Sequence, residues 1–136
     1  MKKLLSTGYS VTSFNIALLM IRIAAGLFMF FNHGIPKLME FRERSGNFYD
    51  PFHIGSQWSL SLVIFAEVFC ALLLVLGLFT RLALVPLLTT MAVVVFMAKK
   101  GEPIASQELA ILYLSLFAGL LLIGPGKYSI DAAMGY

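Results

Sequence analysis

Charge, cysteine and metal-binding side chains are all scarce in this chain. Of its 136 residues 12% are charged and 60% hydrophobic. Soluble domains hold about a quarter charged residues, so an ordinary water-solvated globule is excluded. A single cysteine, Cys70, rules out an internal disulfide and a CxxC thiol-exchange pair. Inside its apolar run it reads as a small apolar residue. His33 and His53 stand at unrelated spacing and assemble no zinc or haem ligand set. No metal is expected. Neither GxGxxG nor a GxxxxGK[ST] phosphate loop occurs, so the chain encodes no self-contained nucleotide-dependent redox chemistry. The net charge of +3 comes from basic residues scattered just outside apolar runs. That is a headgroup pattern, and without a basic stripe no nucleic-acid partner is expected.

What the chain does have is long apolar runs, and its mean hydropathy is +0.89. A bilayer span takes roughly 20 apolar residues. Phe14–Pro36, Leu60–Phe79, Leu82–Ala98 and the shorter Leu109–Gly124 meet or approach that length. Alternating β periodicity is absent, which argues against a barrel. The lysines at positions 2 and 3 suggest a secretory leader. The run from Phe14 to Ile35 exceeds the roughly 7–15 residues of a leader core, and no small-x-small cleavage site follows. It is read as a retained first helix. The expectation is an all-α integral membrane four-helix bundle, one domain over residues 1–136.

Connections fit that plan. Gly77-Leu-Phe-Thr-Arg81 is a tight link, and Lys99-Lys-Gly-Glu-Pro103 is a polar turn with helix breakers. The 37–59 connection carries Phe41, Phe48, Tyr49, Phe52 and Trp58, which either belong to the membrane interface or fold over the bundle as a lid. The interfacial placement is the favoured expectation. Four spans put both termini on one side. Lys2, Lys3, Arg81 and Lys127 lie on the terminus side, with Lys37, Arg42, Arg44, Lys99 and Lys100 opposite. Four against five leaves orientation nearly unweighted, with cytoplasmic termini the default.

Polar residues inside spans narrow the search for a site. An ionisable group at mid-span costs roughly 2.5–3.5 kcal/mol on insertion scales, so Arg22 and Glu67 need partners. At 100° per residue Arg22, Gly26, Met29, His33 and Lys37 share an arc of about 80° on the first helix. That stripe should face the bundle, either as simple close packing at Gly26 and Gly34 or as the wall of a polar cavity. Glu67 has Arg22, His33 and Lys37 as candidate partners, with Arg22 the first choice. Pro36 cannot donate to the carbonyl of Asn32, so the last turn should bend or stop there. Lys37 or a neighbouring helix is the expected donor to the freed carbonyl. A second polar group, Arg81, Lys127 and Asp131, gathers on the terminus side. Within it Ser129 or Asp131 is expected to cap a short terminal helix, and Lys127 can pair with Asp131 four residues on.

RIAAG at 22–26, HGIPKL at 33–38, Glu67, GLFTR at 77–81 and GPGKYSID at 124–131 occur in this order. Together they resemble the DoxX-type family of small four-helix membrane proteins, GPGKYSID being the most distinctive. The family-pattern positions are Arg22, Gly34, Lys37, Glu67, Arg81, Gly124, Gly126 and Asp131. The resemblance implies residence in a bacterial inner membrane. Related proteins include subunits of quinone-linked sulfur oxidoreductases, and many have no assigned activity. Three functions compete on these grounds. One is an accessory subunit that holds a quinone beside Glu67 and His33 and serves an oxidoreductase partner. Another is a non-enzymatic scaffold or chaperone. The third is a small proton-coupled carrier; four short helices give only a small pathway and no internal repeat is present, so it ranks last unless the chain forms a homo-oligomer.

Overall fold

The computed structural model describes residues 2–136. Most of these residues are helical, with no strand among those described. Four helices are long and apolar enough to span a membrane: α1 (Val11–Met39), α2 (Ser56–Leu76), α3 (Thr80–Ala98) and α4 (Ile104–Ile123). Short helical turns at Phe41–Arg44 and Ile130–Ala133 flank them. Each long helix runs antiparallel to its chain neighbour, and α1 closes the bundle against α4. The fold is an all-α membrane bundle.

Local chemistry sets most ends. Ser10 caps α1 by accepting from Ser13 N at 3.0 Å. Gly77, at φ 69°, ends α2 in the left-handed region. Its N–H donates to Leu74 O while Leu78 N–H donates to Leu73 O, the paired bonds of a Schellman stop. Gly124, at φ 97°, ends α4. The helices reach beyond the apolar runs at several ends, notably Val11, Met39, Ser56 and Ile104, because polar residues that lower hydropathy still continue a helix.

Pro36 does not stop α1. The chain first widens into a π-helical turn over Phe30–Gly34, with Ile35 N–H donating five residues back to Phe30 O, and then continues to Met39. The wider turn accommodates the missing N–H of Pro36 without a break. Matching wide turns occur over Phe65–Cys70 in α2 and Val94–Ala98 in α3.

The core is apolar and tightly filled, with Met29, Leu74, Leu84, Leu87 and Phe117 fully buried. Large apolar side chains such as Met20, Phe28, Leu72, Leu112 and Leu122 instead face outward. An outer shell of this kind suits lipid, where helices associate through close packing rather than by escaping water. Gly26 opposes Ala71 and Val75, and Gly34 opposes Glu67 and Val68. These contacts fix the register of α1 on α2. Facing residue numbers sum to about 100 along the antiparallel pair.

Candidate functional site

The two wide turns of α1 and α2 meet at Gly34, and beside that contact lies a buried ion pair. Lys37 Nζ donates to Glu67 Oε2 at 2.8 Å and to His33 O at 3.3 Å. The Glu67 side chain is 3% exposed and that of Lys37 is 17%, so the lysine's stem crosses the interface while its head turns inward. Lys37 thus serves both a charge and a carbonyl near Pro36. The carbonyl is that of His33, one residue beyond the expected Asn32.

Glu67 is not paired with Arg22. The register set by Gly26 and Gly34 places Arg22 opposite Gly77, ten residues from Glu67, or about 15 Å along the helix. His33 also stands apart from the carboxylate. Its imidazole is half-buried and meets Tyr113 of α4 edge-on, with ring centroids 5.5 Å apart. Of the expected intramembrane group, then, Lys37 and Glu67 come together, His33 contributes its backbone carbonyl, and Arg22 lies elsewhere.

Arg22 belongs with the GPGKYSID segment. Buried to 2% exposure, it donates from Nη1 to Pro125 O and from Nη2 to Tyr128 O, each at 2.7 Å. Nearby, Asn15 Oδ1 accepts from Lys127 N–H at 2.9 Å. Asp131 Oδ1 accepts from Phe79 N–H at 2.8 Å and Oδ2 from Thr80 N–H at 2.9 Å, capping α3 from a distant part of the chain. Burial works to raise the Asp131 carboxyl, but bonds from Thr80 and Phe79 and the charge of Arg22 outweigh it and hold the carboxyl below its usual range. Arg81 donates to the carbonyls of Leu121 and Ile123, satisfying the open end of α4. Ser129 caps the last helical turn. No Lys127–Asp131 ion pair forms among the described residues; Lys127 lies outside the turn, and Asp131 faces α3 instead. This second group is a clasp that ties the C-terminal segment to α1 and α3.

The clasp borders an open hollow of about 580 Å³ beside Arg81 and Asp131, and the ion pair borders a more apolar chamber. A cavity of about 460 Å³ lies between α2, α3 and the connection after α1, with Lys37 and Glu67 in its wall. That volume falls within the roughly 300–1,000 Å³ of small-molecule sites. Apolar side chains such as Leu62, Phe65 and Val93 make up most of the surface. The aromatic connection divides its roles. Phe48, Tyr49 and Phe52 cover the cavity, whereas Trp58 is 69% exposed on the first turn of α2 and suits the membrane interface. Asp50 shapes this cover by accepting from Ile54 N–H, Gly55 N–H and Ser59 Oγ. The Ser59 hydroxyl above all, with the two amides and His53 in support, holds the Asp50 carboxyl below its usual range.

The cavity was not legible in the sequence. Its aromatic cover was visible, but the α2–α3 wall facing it depends on register. No curated protein and no solved structure matches this chain. A family model described as DoxX matches residues 17–100, which include Lys37, Glu67 and both cavity-forming helices but end before GPGKYSID. With well over half of its length matched, and with four apolar helices in a bundle, the chain belongs to the DoxX family of integral membrane proteins.

Proposed function

We propose that this chain is an accessory membrane subunit that seats the head of a quinone-type amphiphile in the cavity beside Lys37 and Glu67. The observation that carries the reading is a buried ion pair in the wall of an otherwise apolar chamber. A quinone head needs a donor for its carbonyl oxygen and an apolar slot for its tail. Lys37 would supply the donor, while Phe65 and Val93 would line the slot. A quinone contributes a two-electron carrier that diffuses within the bilayer. The electron-transfer chemistry then belongs to an oxidoreductase partner, docked on a chain resident in a bacterial inner membrane with cytoplasmic termini.

Purification in native lipid, followed by mass spectrometry of extracted lipids and associated proteins, tests this reading. Thr89 is exposed at the cavity, so Thr89→Trp can fill the chamber from its rim without entering the core. Quinone, counted in both its oxidised and reduced forms, enriched with the parent and depleted in T89W supports the proposal. The two forms together at the bilayer background in both proteins overturn it. The competing scaffold reading treats Lys37–Glu67 as a pin between α1 and α2, and predicts a retained protein partner without quinone enrichment.

A further inference from the structure

The hydrogen-bonding capacity of the cavity wall is unequal. Thr89 Oγ1 donates to Val85 O at 2.8 Å, and Thr90 Oγ1 donates to Pro86 O at 2.9 Å. A carbonyl can only accept, so both hydroxyl protons are committed to the helix backbone. Ser59 Oγ likewise gives its proton to the Asp50 carboxylate at 2.8 Å. Lys37 spends two of its three donors on His33 O and Glu67 Oε2. Glu67 Oε1 receives no hydrogen bond from the described residues.

All five of these side chains line the cavity, together with Tyr49. Ser59, Thr89, Thr90 and Glu67 therefore offer it lone pairs, while its side-chain donors reduce to one ammonium N–H and the Tyr49 phenol. Acceptors outnumber donors. A quinone or an ether can only accept and would leave most of this wall without a partner. A hydroquinone or phenol brings a proton to it.

We infer that the cavity selects a long-tailed ligand carrying a hydroxyl donor, such as a hydroquinone or a phenol, over the corresponding quinone or ether. The inference rests on the cavity being the ligand site and assigns it the reduced form of its ligand. Glu67, at 2% exposure, is the most buried of these acceptor residues, and the Lys37 N–H can donate back to the same ligand oxygen. A hydroxyl can use both groups at once. A carbonyl oxygen can use only the lysine.

Redox-inert probes separate these alternatives. The protein in nanodiscs is titrated with 4-nonylphenol and with its methyl ether, 4-nonylanisole, at matched mole fractions in the lipid. The shift in thermal unfolding midpoint reports binding. A hydrogen bond to a charged group predicts a preference for the phenol of about tenfold or more. Thr90→Val, which removes an acceptor while keeping side-chain shape, should narrow that preference, as should Glu67→Gln. Equal binding of the two probes, or tighter binding of the ether, overturns the inference. If T89W abolishes both signals in that case, the cavity reading stands without its selectivity. Responses identical in parent and T89W for both probes overturn both readings.

Discussion

Gly34 rests on the peptide carbonyl of Glu67, with no room for a β-carbon between them. An atom built at that position would lie 2.6 Å from the oxygen and 2.8 Å from the carbonyl carbon. Backbone cannot swing aside as a side chain can. The wide turns of α1 and α2 are therefore locked together where the ion pair forms, and a steric contact positions an electrostatic one.

Substitution at the glycines should follow this geometry. Gly34→Ala forces two backbones apart and is expected to destabilise the bundle by about 1–3 kcal/mol, the usual range for overpacking. Gly26→Ala should destabilise as well, because a β-carbon there would meet the stiff, β-branched Val75 at 2.5 Å and the backbone oxygen of Ala71 at 3.1 Å. Gly46→Ala meets nothing within 4 Å and should leave stability unchanged. Thermal unfolding in nanodiscs ranks the three. A neutral G34A would contradict the register described above.

Lys37 and Glu67 should couple, whereas Arg22 and Glu67 should not. Lys37→Met strands a carboxylate that is 3% exposed, and about 3 kcal/mol is expected from breaking such a pair. Glu67→Gln should cost less, since the freed lysine can extend toward headgroups. The double variant should recover part of the summed loss. Arg22→Gln combined with Glu67→Gln should add within about 0.5 kcal/mol, as for independent sites. A double-mutant cycle with strong Arg22–Glu67 coupling is the outcome that sinks this assignment.

Hydropathy was sufficient to find the four helices, and helical periodicity correctly turned Arg22, Gly26 and Met29 toward the bundle. It could not choose the partner of Glu67. That choice depends on sliding α1 along α2, and a slide of several residues keeps every apolar face in place. The contacts of Gly26 with Ala71 and of Gly34 with Glu67 select one register. Polar spacing also linked Lys127 to Asp131, a local pair, whereas Asp131 instead serves amides about fifty residues earlier. The match of a carboxylate to a distant helix terminus has no periodic signal.

Arg22 is expected to matter for the C-terminal clasp through its forked geometry. Arg22→Lys keeps the charge but replaces two directed donors with one flexible ammonium, so one carbonyl of the Pro125–Tyr128 pair loses its partner. A loss of about 1.5–3 kcal/mol is expected, the range for a hydrogen bond to a charged group. Hydrogen exchange should quicken at residues 126–132 while the Lys37–Glu67 region stays protected. Uniform loosening of the whole bundle would assign Arg22 a wider role than clasping.

Asp131 makes the clasp sensitive to acid, and the sign follows from its depressed carboxyl. Because the folded value lies below the unfolded one, the contribution is fully present above the unfolded pKa of about 3.9. It fades as pH falls through that value and then through the lower native one. Asp131→Asn cannot carry the charge, so at neutral pH it should lose about 1–2 kcal/mol, as when a helix cap is removed. Its stability should then fall less steeply in acid than the parent's. Asp50 is depressed as well and adds loss of the same sign, so a global melting curve alone would mix the two. Residue-level exchange separates them. Acid should release the Phe79 and Thr80 amides when Asp131 is protonated, and the Ile54 and Gly55 amides when Asp50 is. D131N should abolish the first transition and leave the second in place; an unchanged acid release at Phe79 and Thr80 would remove Asp131 as the cap of α3.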